Sequence, residues 1–242
     1  MFSFDSVFTQ DDPLAEVCSA ALTDAVYSVV HGTDSCVLCF GHAKTSKSRT
    51  MLGSDTSVTS LGVIPCAIAW LFRLIEEQKE ATKTRFSVRV SAVEVFGHEE
   101  SFKDLLQESA LEGDDDHLPG PAPSSYLRDN SPSPKNRSIS NPATAADNTP
   151  AARLSQVMDK LTEIRAPAAG HAAHLLDVAL ANRAQNTALS HTLFTLHVYQ
   201  YKVEKNGAET EVSGGRSRLQ LLYLGCGRYG SKEIGQGQEQ SS

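Results

Sequence analysis

Long apolar runs are missing from this chain of 242 residues. No uninterrupted stretch of about 18 apolar residues occurs, so no membrane-spanning helix and no membrane partner are expected. Positive charge is also short: 22 Lys and Arg stand against 29 Asp and Glu, a net charge of −7. A nucleic-acid binder normally carries a basic patch, so nucleic acid is not an expected partner. The first ten residues, MFSFDSVFTQ, lack the basic segment and apolar stretch of a secretory signal. Cysteine is scarce and odd in number, five without framework spacing, which fits a reducing compartment. These absences together predict a soluble cytoplasmic protein. What is present suffices for one sizeable core, since 40% of the residues are hydrophobic.

Proline is not scarce but confined. Seven of the ten prolines fall between Pro119 and Pro150, in a stretch rich in Ser, Asn and Asp and poor in β-branched and aromatic residues. Such a stretch cannot bury enough apolar surface to offset its ordering entropy, so 109–153 is expected to be a disordered insertion. It separates a first part, 1–108, from a second, 154–227, and a polar tail, 228–242, follows. Within the insertion, Ser131 and Ser133 precede prolines, and Ser138 and Ser140 follow Lys135 and Arg137 by three residues. These are candidate kinase targets, where a phosphate would make a negative loop more negative.

Outside the insertion, strand and helix signals alternate. Leu14–His31 reads as a helix, with Asp12 and Pro13 as cap and first-turn pair and Gly32 as its stop. Its apolar face is expected along Leu14, Val17, Ala21, Ala25 and Val29. Ser35–Phe40 reads as a short buried strand. A helix should open at Lys47, and another runs from Gly62 to Glu80 with Ile68, Leu71, Phe72 and Ile75 on one side. Residues 84–97 alternate Phe86, Val88 and Val90 with Ser87, Arg89 and Ser91, the period of a strand. A helix near Ala168–Arg183 and strands at 192–203 and 216–225 follow. The pattern predicts an α/β fold, a central sheet with helices on both faces.

The chemistry concentrates in CFGHAKTSKSRTM, Cys39–Met51. A phosphate-binding loop needs Gly, four residues, a second Gly, then Lys and Ser or Thr, so that backbone N–H groups converge on phosphate and Lys reaches its outer oxygens. Gly41, Lys47 and Ser48 are in place, but Ser46 stands at the second glycine. Where φ must be positive, a serine costs about 1 kcal/mol, a penalty rather than a prohibition. Lys44 adds a second positive charge. The candidate nucleotide loop is therefore Gly41, His42, Ala43, Lys44, Thr45, Ser46, Lys47 and Ser48, with Ser48 a weak candidate magnesium ligand. A strand-to-helix turn that holds no ligand stays open as the alternative.

FSFDSVF (2–8), the loop at 41–51, LGVIPCAIAWLFRLIEE (61–77), FSVRVSAVEVFGHEESFKDLL (86–106) and SHTLFTLHVYQY (190–201) succeed one another in the order of a kinesin motor domain. The chain resembles that family over roughly 2–108 and 161–227. CFGHAK and VYQYKVEKNG…SGGRSRLQL resemble its atypical kinesin-11 branch, whose members keep the fold without ordinary ATP hydrolysis. The resemblance implies a P-loop motor fold, here incomplete at both ends of the sheet. The chain begins after the family's first strand and ends before most of its microtubule-facing helices. It also implies tubulin as partner, a cytoskeletal location, and ATP or ADP with magnesium as a weakly held cofactor.

It further implies two nucleotide-sensing segments. The first, N-x-x-S-S-R-S-H in the family, falls on Ala184–His191. Ser190 and His191 match, while Ala184, Thr187, Ala188 and Leu189 depart. The second, D-L-A-G-S-E, falls on Tyr223–Arg228; Gly225 stands at the family's Ala, and Cys226 replaces the glycine that senses the outer phosphate. Tyr223 replaces the Asp that orients magnesium and its water, and a neutral phenol does not substitute for a carboxylate beside a dication. Arg228 replaces the Glu and Leu189 its Arg partner, so the bridge closing the two segments is lost at both ends. The expectation is a pseudo-ATPase, a kinesin-like binding module with little or no hydrolysis and no catalytic residues. A slow hydrolase using Ser48 and Ser190 as metal ligands, or a fragment with no activity of its own, are the alternatives.

Other signals have plainer readings. Cys36 and Cys39 form a CxxC pair without a second pair, so buried strand cysteines are expected rather than zinc. His171 and His174 are expected at the surface, and Trp70 and Phe72 in the core.

Overall fold

The computed structural model of the protein describes residues 3–42, 45–54, 60–96, 101–112, 161–183, 190–206 and 209–225. The elements are α1 (Leu14–Val30), β1 (Ser35–Cys39), α2 (Lys47–Leu52), α3 (Val63–Thr82), β2 (Arg85–Phe96) and β3 (Ser101–Asp104). They continue with α4 (Gln107–Glu112), β4 (Ile164–Arg165), α5 (Ala169–Ala181), β5 (His191–Asn206) and β6 (Glu209–Tyr223). The mixed α/β architecture expected from the alternating signals is present. Helix α4 runs past the expected boundary at 108, whereas the candidate kinase sites of the insertion lie outside the described residues.

One six-stranded sheet orders its strands β1-β6-β5-β2-β3, with β4 pairing β2. Strand β1 runs parallel to β6; the other pairings are antiparallel. The register places Val37 beside Leu221, Leu221 beside Phe194, and Phe194 beside Ala92. These residues share one sheet face, because side chains on paired positions point the same way. On this face Val88, Val90, Phe194, Leu196, Leu219 and Leu221 are buried in one core with residues of α1, α3 and α5. Each such side chain contributes roughly 1.5–3 kcal/mol when fully buried.

Helix α1 shows how the local signals resolve. Asp12 does not cap it: its carboxylate accepts from the backbone N–H and hydroxyl of Thr9 at 2.5 and 3.0 Å, and Pro13 occupies the cap position. Its buried residues are Cys18, Leu22, Val26, Val29 and Val30, so the core stripe is rotated one residue from the expected one. Leu14, Ala21 and Ala25 flank it. The larger Leu22 and Val26 win the interior over the alanines. The stop is as expected: Gly32 has φ 93°, and its N–H reaches Val29 O at 3.1 Å while Thr33 N–H reaches Ser28 O at 2.9 Å. That paired closure needs a left-handed residue, which glycine supplies without strain.

Two burial expectations change. Strand β1 is half-exposed, with Cys36 and Leu38 on its open side; Leu38 is 49% exposed and Phe40, just beyond, 75%. No described helix covers that side, so only Val37 and Cys39 pack inward. Trp70 and Phe72 flank the core half-buried, while Ile68, Leu71 and Ile75 fill it. His171 and His174 are exposed, as expected. No helix among the described residues is long and apolar enough to cross a membrane.

Candidate functional site

Strand β1 delivers the chain to the Gly41 loop, and the parallel β6 ends beside it. Cys39 pairs in register with Tyr223, and the Leu224 N–H continues the ladder onto Cys39 O at 3.0 Å. The loop and the end of β6 are therefore brought together by sheet register rather than by sequence proximity. Across this junction the hydroxyls of Ser48 and Tyr223 lie 2.9 Å apart in a hydrogen bond.

Ser46 adopts φ 58° and ψ 16°, the left-handed conformation that its glycine-position role requires, and precedes α2. Lys47 is 6% exposed, and its ammonium donates to the carbonyls of Gly41 and His42 at 2.6 and 2.8 Å. Thr45 Oγ1 donates to His42 O at 2.6 Å. The lysine thus sits across the mouth of its own loop, at the charge position that the motif provides for phosphate. Burial pushes the Cys39 thiol up, partly offset by the nearby Lys47 charge. Ala43 and Lys44 lie outside the described residues.

The far end of α2 is fixed by backbone contact. Gly53, at φ 93°, bridges Leu61, and a Cβ on Gly62 would overlap backbone atoms of Leu52 and Gly53. Two chain segments cross here at a separation that admits no side chain. The start of α3 thereby holds the end of the loop helix.

The two sensing segments meet the loop differently from expectation. Ala184–Leu189, Cys226 and Arg228 lie outside the described residues. Ser190 is buried and accepts from Arg183 Nη2 at 3.5 Å. The Gly225 N–H donates to His191 Nδ1 at 3.1 Å, so the segments are joined through a backbone amide and an imidazole. Sequence reasoning overlooked Arg183 and Glu94. Arg183 lies 3.9 Å from the fully buried Glu94, and its guanidinium stands 5.4 Å over the ring of Tyr223. Burial lowers the Arg183 pKa, with Glu94 and then Tyr223 opposing. The signal was available: Glu94 follows Val88, Val90 and Ala92 on the inward period of β2, where an acid needs a cationic partner.

Magnesium takes near-octahedral oxygen ligands, usually one or two carboxylates with substrate phosphates. Among the described residues expected at the metal, Ser48 and Ser190 offer hydroxyl oxygens; the first is bonded to a phenol and the second accepts from Arg183. Among the described residues no group of three His, Cys, Asp or Glu side chains is placed to hold a metal. The carboxylate of Glu94 faces Arg183 instead. These residues do not fit the ion.

A second polar cluster lies on the opposite sheet face. Ser91 Oγ is 2.8 Å from His197 Nε2, and Glu163 Oε1 is 3.8 Å from His197 Nδ1, the outline of a Ser-His-acid arrangement. Arg216 Nη2, however, donates to His197 Nδ1 at 2.7 Å. The neutral ring must then carry its proton on Nε2, toward Ser91, the wrong tautomer for a general base. Burial, chiefly, pulls the His197 pKa down to about 4, with Glu163 opposing and Arg216, Arg218 and Arg89 assisting. Glu163 is held by Arg216 at 2.6 Å and by the Tyr199 hydroxyl at 2.7 Å. The cluster is a structural network that satisfies buried polar groups.

The profile of the family described as the kinesin motor domain matches residues 1–240. Human kinesin-like protein KIF26B is 46% identical over 233 residues, which cover 93% of this chain and 10% of that protein. Mouse kinesin-like protein KIF26A is 47% identical over 233 residues, covering 93% of this chain and 11% of that protein. The chain spans about a tenth of the length of these relatives. Among solved structures, the Drosophila kinesin family member NOD in complex with AMPPNP is similar at a TM-score of 0.60 and 20% identity, covering 94% of this chain and 58% of that one. NOD docked with bovine tubulin into a map of nucleotide-free NOD complexed to the microtubule is similar at 0.57 and 20%, covering 91% and 58%. These two likenesses bear on the fold.

Proposed function

The chain belongs to the kinesin motor domain family, and on that premise we propose that it is a microtubule-associated, cytoskeletal module of the atypical kinesin-11 branch. Its loop Gly41–Ser48 takes ATP or ADP weakly and hydrolyses little or none of it. The observation that carries this reading is the 2.9 Å bond between Ser48 and Tyr223. Phosphoryl transfer needs a positioned water and charge neutralisation at the transferring group. At the family's aspartate position this chain presents a phenol, already bonded to the hydroxyl that would support the cation. Lys47 remains aimed into the loop, so electrostatic attraction for phosphate persists without the machinery for turnover.

Tubulin is the partner the family supplies, and the insertion and tail offer no basic substitute for it. Kinases acting on Ser131, Ser133, Ser138 and Ser140 remain part of the same proposal, each added phosphate making the insertion's sequence more negative.

Steady-state phosphate release by the purified chain, with and without microtubules, together with microtubule co-sedimentation, tests the proposal. Co-sedimentation with no release above background is the expected result. Release that microtubules stimulate and Lys47→Ala abolishes would overturn the non-hydrolysing reading in favour of a slow motor.

A further inference from the structure

We infer that the loop takes its nucleotide as the metal-free di- or triphosphate, with Tyr223 and Arg183 standing where a divalent cation would be supported. This deepens the reading of the loop as a nucleotide site and rests on it.

Three observations converge. The Ser48 hydroxyl, the loop's oxygen for a cation, is bonded to Tyr223 at 2.9 Å. The Tyr223 ring in turn lies 5.4 Å beneath the Arg183 guanidinium, a fixed positive charge rather than a carboxylate. Arg183 is itself secured, 3.9 Å from buried Glu94 and 3.5 Å from Ser190. A dication brought to Ser48 would have to break the hydroxyl pair, and the phenol behind it is backed by a guanidinium rather than by a carboxylate. Lys47, by contrast, already presents an ammonium on the loop carbonyls and can turn it to phosphate oxygens without help from a metal. The positive charge at the loop is thus that of Lys47, and the metal-free anion fits without displacing the hydroxyl pair.

Two consequences separate this from ordinary P-loop binding. Chelation does not weaken the complex, and excess magnesium weakens it by withdrawing free nucleotide from solution. The experiment uses the full chain with N-methylanthraniloyl-labelled ADP and ATP, titrated by anisotropy in EDTA and in millimolar magnesium. Electron paramagnetic resonance of manganese measures cation uptake in parallel. The expected result is a dissociation constant in EDTA equal to or below that in magnesium, lost in Lys47→Ala, with no manganese taken up alongside nucleotide. Weakening of about tenfold or more in EDTA, or one manganese bound per nucleotide, overturns the inference while leaving nucleotide binding intact. Absence of binding in both buffers overturns the nucleotide reading itself, and the inference with it. Tyr223→Asp is expected to acquire manganese uptake and sensitivity to EDTA; a folded variant as indifferent to the cation as the parent would also overturn the assignment to Tyr223.

Discussion

Arg216 donates to Nδ1 of His197 at 2.7 Å, while Nε2 of the same ring faces Ser91 at 2.8 Å. The ring is held neutral, and its pKa falls from 6.5 to about 4. A depressed histidine means that the unfolded chain takes up the proton first on acidification. The stability it contributes is complete above about pH 6.5 and is lost as pH falls toward 4, a change of about 3 kcal/mol. Urea midpoints of the parent and of His197→Gln, measured from pH 7 to 4, should therefore converge as pH falls. Parallel curves would show that the network does not hold the ring neutral.

Ser46→Gly should stabilise the chain. The serine occupies φ 58°, a conformation that costs an L-residue about 1–2 kcal/mol, against which glycine loses about 0.5–1 kcal/mol through the freedom of the unfolded chain. A net gain of roughly 0.5–1 kcal/mol is expected in chemical denaturation. A loss would mean that the Ser46 hydroxyl has a role of its own.

Arg183→Met should destabilise by about 3 kcal/mol, because it strips the positive charge from beside the fully buried Glu94. Adding Glu94→Gln to the same variant should restore most of that loss. The double-mutant cycle measures the coupling directly. Additive effects would mean that the 3.9 Å pair is a proximity without energetic weight.

Gly62→Ala tests the backbone crossing. Its Cβ would overlap Leu52 and Gly53, and relief by shifting backbone costs roughly 1–3 kcal/mol. Because the displaced atoms end the loop helix, labelled-nucleotide affinity should fall in the same variant. Unchanged melting and affinity would mean that the crossing is looser than drawn.

Much of this architecture was legible residue by residue. The alternation of Phe86, Val88 and Val90 marks β2, Gly32 marks the end of α1, and the Lys47–Ser48 pair marks the loop helix. These are local signals, set by period and backbone preference. What escaped was decided across the sheet. Strand β1 has the composition of a buried strand, yet only the presence of a covering layer decides whether Leu38 is inside, and no periodicity encodes that. Asp12 had the right identity for a cap and found a nearer donor in Thr9. At the site, the replacement of Asp by Tyr223 was visible, but its bond to Ser48 depends on register between strands far apart in sequence. Arg183 and Glu94 belong to the same class of partnership, one that an inward-facing acid announces without naming its partner.

The attachment of β1 to the sheet has a temporal consequence. Strands β5 and β6 are consecutive and pair along most of their length, whereas β1, among the described residues, joins through β6 alone, fastened where Asp34 holds Arg218, 184 residues away. Loop-closure entropy must be met before that distant pairing contributes anything. During folding the β5–β6 hairpin should acquire protection from hydrogen exchange early, and the phosphate-loop strand late. A nascent chain would then carry its loop sequence unassembled until β6 had been synthesised, leaving β1 with Leu38, and Phe40 just beyond it, as the stretch most open to chaperones in the interval.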